Sequence, residues 1–286
     1  MSRDPIIVGT DGSATARVAV DKAGELAHAL GAPVHVVCVP SALASGDSPP
    51  RTAAEEIVAK AGERLQSRGL AVETHVPEGD AAPALIGVAE RERAQMIVVG
   101  NKGMTGVRRL LGSLPNRVSH EARCDVLLVP TRSRSLAAFA GGSIVVGTDG
   151  LSGAMRAVKE AIRLAKALQS ELHIVALFKP PYSPESAVAQ AAEEASRQGV
   201  AATEHVLRDD PVAALLDVAK KHDAEIIVVS DKGMHADERV WLGNITDTIS
   251  HRGTSSVLIV PMADGGDSDG DAMSGQEGSS AEAAGT

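Results

Sequence analysis

Aromatic side chains are nearly missing from this chain: one Trp, one Tyr and two Phe in 286 residues. Unpaired nucleic-acid bases are held on such rings, so single-stranded nucleic-acid binding is excluded as a main role. Cysteine is almost as scarce. Cys38 and Cys124 stand in or just before strand-like runs and have no metal spacing, so they read as core fillers in a reducing cytoplasm. No apolar run nears the roughly 18 residues of a membrane span, and the opening MSRDPIIVGTDGS has no signal-peptide pattern. Basic excess is lacking as well. The net charge is −9, but residues 263–286 hold six acids and no base, which leaves only −3 for the rest. Neither value suits a nucleic-acid or membrane surface.

What is present is aliphatic. Hydrophobic residues make up 44% of a chain long enough for two domains, so its cores are built of Val, Ile, Leu and Ala. An internal repeat sets the organisation. Ile7-Val8-Gly9-Thr10-Asp11-Gly12 returns as Val145-Val146-Gly147-Thr148-Asp149-Gly150, and Lys102-Gly103-Met104 returns as Lys232-Gly233-Met234. Ser119-His120 reappears as Ser250-His251, and Asp125–Pro130 matches Ser256–Pro261. The domains predicted from this are 1–131 and 143–262, joined by a linker over 132–142. The tail 263–286 is rich in Gly, Ser and acids, has no core to bury, and is predicted to be disordered.

Within each copy, apolar runs alternate with helix-period segments. Strands are predicted near 5–10, 33–39, 71–76, 95–100 and 125–130, and again at 143–148, 171–178, 200–207, 225–230 and 256–261. Stripes such as Val20, Ala23, Ala27, Leu30 and Ala82, Leu85, Ile86, Ala89 mark helices between them. The fold class is therefore α/β: two open parallel five-stranded sheets with helices on both faces.

The stretch with most chemistry is Gly100–Arg117, GNKGMTGVRRLLGSLPNR. Its glycines let backbone approach a ligand closely. Ser113 is a suitable N-cap for a helix entered through Leu114 and Pro115. Unpaired N–H groups at such a helix start form an anion site, and Lys102, Arg108, Arg109 and Arg117 add four positive charges with no acid among them. The stretch reads as a phosphate cradle, although similar loops also serve as plain connections.

G-x2-G, eight residues, then G-S is neither the dinucleotide fingerprint nor the P-loop. It resembles the universal stress protein family, whose ATP-binding members carry G-x2-G-x9-G-[ST] here; this chain has one residue fewer between Gly103 and Gly112. The resemblance extends from Pro5 to Pro261. It implies a flavodoxin-like, Rossmann-like strand order 3-2-1-4-5, with the ligand crevice between the first and fourth strands. It further implies ATP, with Mg2+, bound by Thr10, Asp11, Gly12, Val39, Gly100, Asn101, Lys102, Gly103, Gly112, Ser113 and Leu114. Asp11 would face the nucleoside, backbone near Val39 would hold adenine, and the glycine loop would hold the phosphates.

The second copy would be a degenerate site at Asp149, Gly233, Gly243 and Asn244. Residues 230–248 carry Lys232 and Arg239 against Asp231, Asp237, Glu238 and Asp247, a balance of −2 where the first stretch has +4. A response-regulator receiver would need an Asp ending the third strand and a Lys ending the fifth, where Val76-Pro77 and Val129-Pro130 stand. His35/His173, His75/His205 and His120/His251 recur without a nucleophile-elbow or zinc spacing, so they read as packing or surface residues, with no catalytic residue and no metal site expected. The functional expectation is a cytoplasmic stress-response protein acting as a nucleotide-dependent sensor or signalling module. A nucleotide-independent interaction protein of the same fold is the second reading, and a slow ATPase or autokinase the third. The apolar fifth strands, at sheet edges in this order, are expected to pair as an intramolecular pseudo-dimer, with a further homodimer left open.

Overall fold

A computed structural model describes residues 4–40, 49–101, 114–130, 141–177, 183–207, 211–231 and 255–262. The predicted tail, nearly all of the linker, and Lys102, Gly103, Gly112, Ser113, Gly233, Gly243 and Asn244 lie outside the described residues.

The first half runs β1 (Ile6–Gly9), α1 (Ala14–Leu30), β2 (Val34–Val37), α2 (Arg51–Gln66), β3 (Val72–His75), α3 (Ala81–Arg91), β4 (Met96–Gly100), α4 (Leu114–Glu121) and β5 (Asp125–Val129). The second runs β6 (Ser143–Thr148), α5 (Ser152–Leu168), β7 (Glu171–Leu177), α6 (Pro184–Arg197), β8 (Ala202–Leu207), α7 (Pro211–Lys221), β9 (Ala224–Ser230) and β10 (Ser256–Val260). Each predicted strand is present, trimmed by up to two residues at an end or, for β9, begun one residue earlier.

Capping explains where the helices begin and stop. Ser13 takes an extended backbone, and its hydroxyl accepts from the Ala16 N–H to start α1. Gly31, at φ 62°, closes the same helix through its N–H to the Ala27 and His28 carbonyls. In α6, Ser183 caps and Pro184 occupies the first turn, where no N–H is needed.

The strands form one ten-stranded sheet, ordered β3-β2-β1-β4-β5-β10-β9-β6-β7-β8. Each half contributes the expected 3-2-1-4-5 order, and the halves join through β5 and β10, the one antiparallel pairing among the described strands. The two five-stranded sheets of the sequence reading are thus continuous. Because helices cover both faces, inner strands such as Met96-Ile97-Val98-Val99 read as unbroken apolar runs. Residues Ile6, Val8, Met96 and Val98 pack with α1 and α2 on one face. Their neighbours Ile7, Ile97 and Val99 pack with α3 and α4 on the other. In the second half α5 and α6 cover the first face and α7 the second.

Candidate functional site

Strand β1 pairs with β2 on one side and β4 on the other, both parallel, so the chain leaves β1 at the point where strand order reverses. Here α1, which follows β1, and α4, which follows β4, lie on opposite faces of the sheet, the place where open α/β sheets take their ligands. The register Val8↔Val98 carries Thr10 alongside Gly100.

The loop after β1 is held by its own side chains. Thr10 Oγ1 accepts from Gly12 N–H at 3.2 Å, and Asp11 Oδ1 accepts from Ser13 N–H at 2.9 Å. Gly12 sits at φ +78°, a conformation L side chains rarely adopt. The result is a fixed turn that presents the Asp11 carboxylate at the start of α1. Its Oδ2 has no hydrogen-bond partner among the described residues, which suits a ribose hydroxyl or a hydrated cation.

On the neighbouring strand β4, Gly100 lies against the first turn of α1. A Cβ at this position would stand 2.9 Å from Thr15 Cγ2 and 3.4 Å from the Thr15 carbonyl oxygen. Asn101 N–H donates to the Val129 carbonyl at 2.8 Å, which anchors the departing chain to β5. Val39 and Leu114 are half-buried at the rim, packed against the core face that holds α3 and α4. Thr10, Asp11, Gly12, Gly100 and Asn101 are thus brought to one crevice. Lys102, Gly103, Gly112 and Ser113 follow directly in sequence but are outside the described residues.

Arg117 needs a correction. The sequence reading counted it among four positive charges offered to a ligand, but its guanidinium pairs with Asp80 at the start of α3, and its Nε lies 3.5 Å from Glu121. An arginine on the second turn of α4 reaches these acids because α3 and α4 pack side by side. The cradle's charge is therefore closer to three than four.

The second half repeats the β1 turn closely. Thr148 Oγ1 accepts from Gly150 N–H at 3.1 Å, and Asp149 Oδ1 from Leu151 N–H at 3.0 Å. Leu151 stands at the position of Ser13, so α5 has no side-chain cap there. At the end of β9 the chain carries Ser230 and Asp231 in place of Gly100 and Asn101, and Asp231 Oδ1 accepts from Met262 N–H at 2.8 Å.

Both cysteines are free thiols. Burial, and next the Asp11 charge, push Cys38 up to about 11; burial, then Asp125, push Cys124 to about 12. Thiols so protonated at neutral pH are inert fillers.

The recurring histidines are packing or surface residues as expected, with His35 and His173 buried and His120 exposed, but their grouping is not legible in the sequence. His35 and His75 stack with their ring centroids 5.0 Å apart and share a 3.1 Å contact between Nδ1 and Nε2. His173 and His205 repeat that contact at 3.2 Å, and His222 joins them with its ring centroid 4.0 Å from that of His173. Sequence spacing missed these groups because their members sit on neighbouring parallel strands and a helix end, tens of residues apart.

Two parallel five-stranded sheets of order 3-2-1-4-5, covered by helices and fused edge to edge through β5 and β10, define a tandem doubly wound α/β protein. The universal stress protein family profile matches residues 2–130 and 142–261, and the chain belongs to that family. A universal stress protein of Mycobacterium tuberculosis is 35% identical over 139 residues, spanning 44% of this chain and 95% of its own length. One from Mycolicibacterium smegmatis is 27% identical over 289 residues, 89% of this chain and 96% of its own. The crystal structure of a universal stress protein from Archaeoglobus fulgidus overlays with a TM-score of 0.70 at 20% identity, covering 91% of this chain and 97% of that one. That likeness extends to the tandem fold as a whole. Among the described residues no helix is long and apolar enough to cross a membrane.

Proposed function

We propose that this universal stress protein binds ATP with Mg2+ in the crevice of its first half and acts in the cytoplasm as a nucleotide-dependent sensor or signalling module. The observation that carries the reading is the convergence of the Thr10–Ser13 turn and Gly100 at the switch point, immediately before the glycine-rich stretch. Asp11 is presented on a turn fixed by hydrogen bonds at 2.9 and 3.2 Å, a preorganised anchor for the nucleoside side. Lys102 to Ser113 then supply the residue types a polyphosphate needs: glycine backbone, three cations and a capping serine.

Mg2+ would be held as a hydrated ion shared by the phosphates, with Asp11 left to the nucleoside. The ion's part would be to offset charge between adjacent phosphates.

The second half is the weaker site in this account. It has Ser230 where the first has Gly100 and an acidic balance in place of a basic one. At ~4 Å a unit charge pair is worth about 1 kcal/mol in water. Even strongly screened, the difference in charge would lower polyphosphate affinity on the order of a hundredfold.

An interaction protein that ignores nucleotide is the competing reading, and a slow ATPase or autokinase, for which no attacking group can be named, ranks third. Protein purified without added nucleotide, then denatured, should release adenine nucleotide detectable by mass spectrometry at a substantial fraction of one per chain. Release of none, together with no uptake of added ATP, favours the interaction protein.

A further inference from the structure

The three-histidine cluster lies at the other end of the sheet from the crevice. His173 is near the start of β7, His205 is on the adjacent edge strand β8, and His222 follows the last residue of α7, where the chain turns back into β9. All three meet on the face covered by α7. One donor atom from each lies within 4.8 Å of the other two.

Three features set this apart from ordinary packing. First, the 3.2 Å between His173 Nδ1 and His205 Nε2 is the spacing of two ligands on one tetrahedral ion: zinc–nitrogen bonds of ~2.0–2.1 Å put adjacent donors about 3.3 Å apart. Second, Nε2 of His222 is buried without a hydrogen bond, and the His173 ring packed on it is only 3% exposed. Buried polar atoms are nearly always partnered, so an orphan beside the close pair calls for a missing partner. Third, the three rings crowd on one another, with centroids 4.0 Å apart for His173 and His222, 5.3 Å for His173 and His205 and 5.5 Å for His205 and His222. A carboxylate oxygen of Glu171 stands 3.8 Å from His173 Nε2, in place to steady a ligating ring.

The first half builds the same constellation with a different donor. His35 and His75 take the places of His173 and His205, and Glu92, one residue beyond α3, takes the place of His222 one residue beyond α7. Glu73 lies 3.9 Å from His35 Nε2, as Glu171 lies near His173. A placement made twice by the same topology is a property of the fold rather than of one side-chain rotamer. Three imidazoles, or two with a carboxylate, are donor sets that zinc accepts with a fourth position left to water.

We propose that His173, His205 and His222 form a binding site for a divalent transition metal, zinc by preference. Bound there, the ion clips the edge strand β8 to β7 and to the end of α7. It acts remote from the nucleotide crevice and independently of whether that crevice is filled.

The test uses the untagged full-length chain, stripped of metal and nucleotide, titrated with cobalt(II) chloride and then with zinc. The first equivalent of cobalt should give the intense visible bands of a tetrahedral ion, and zinc should abolish them. In His222→Gln those bands should be lost, with affinity lower by on the order of a hundredfold or more. His205→Gln should behave alike, whereas His120→Gln, on an exposed helix position, should match the parent. Unfolding midpoints of the metal-free variants separate lost ligation from lost fold, and zinc should raise the parent's midpoint but not that of His222→Gln. A parent chain without tetrahedral bands overturns the proposal. So does a His222→Gln variant that folds and titrates like the parent, or a first equivalent lost on Glu92→Gln in place of His222→Gln.

Discussion

Leu127 lies directly opposite Leu258 where β5 meets β10, and the two leucines hold the same place in the internal repeat. The flanking pairs, Val126 with Ile259 and Leu128 with Val257, exchange with each other under the repeat, in which Val126 matches Val257 and Leu128 matches Ile259. A pseudo-twofold axis therefore passes through the Leu127–Leu258 pair, and what would be two apolar sheet edges become the centre of one sheet. Both leucines are fully buried. The seam gives the chain the construction of a dimer within one polypeptide, and it means that severed halves would each expose an apolar edge.

Replacing either leucine of that pair by Asp should destabilise the whole chain by about 3 kcal/mol or more, since an unpaired carboxylate would be buried in the sheet. The comparison is Leu151→Asp, 41% exposed at the uncapped start of α5, where the new N-cap should raise stability by about 1 kcal/mol. Urea unfolding followed by circular dichroism reads both. A single transition lowered only by the seam variants supports a shared core; two transitions, with only one of them moved, would argue for halves that fold separately.

Asp125 makes stability depend on pH. It is buried at the start of β5, and burial, then the neighbouring Glu160, raise its carboxyl from 3.8 to about 8, against the opposing pull of Arg156 and Arg163. The folded chain therefore binds this proton more tightly than the unfolded chain, so stability falls as pH rises from about 4 to about 8 and is unaffected by this group below that window. Asp125→Asn should remove that fall, worth on the order of a few kcal/mol. Thermal midpoints of both proteins at pH 5 and pH 8 check it: a drop in the parent that persists undiminished in Asp125→Asn would place its origin elsewhere.

Two glycines should respond in opposite directions to alanine. Gly87 is in the exposed interior of α3 with open space where a Cβ would go, so Gly87→Ala should stabilise by up to ~1 kcal/mol. At Gly100 the added methyl meets Thr15 at 2.9 Å, so Gly100→Ala should cost ~1–3 kcal/mol and shift the chain entering the glycine-rich stretch. Denaturation midpoints measure the pair; equal and small effects would show that α1 yields easily at Thr15.

How much of this was legible in the sequence follows from which signals are local. The buried strands announced themselves because a sheet covered on both faces needs unbroken runs such as Met96–Val99 and Val126–Val129. The turn after β1 was legible because Thr10, Asp11 and Gly12 bond within the turn itself, and its return at Thr148–Gly150 identified the repeat. The pairing of β5 with β10 could be anticipated from two apolar edges, though not its register. Arg117 was misjudged because Asp80 is distant in sequence and close only once α3 and α4 pack. The histidine clusters were invisible for the same reason: His173, His205 and His222 meet through the order β7-β8 and the return of α7, which no residue spacing encodes.

The central claim is that an adenine nucleotide occupies the first crevice and is anchored by Asp11. Asp149 provides an internal control, because it holds its own turn through the same bond, 3.0 Å against 2.9 Å. Any loss from loosening the turn alone should affect the two equally. The measurement is calorimetric titration of the intact chain with MgATP, comparing the parent with Asp11→Ala and Asp149→Ala. The account predicts one dominant site per chain, weakened at least tenfold in Asp11→Ala and unchanged in Asp149→Ala. Absence of binding in the parent, or equal weakening by the two substitutions, would contradict it.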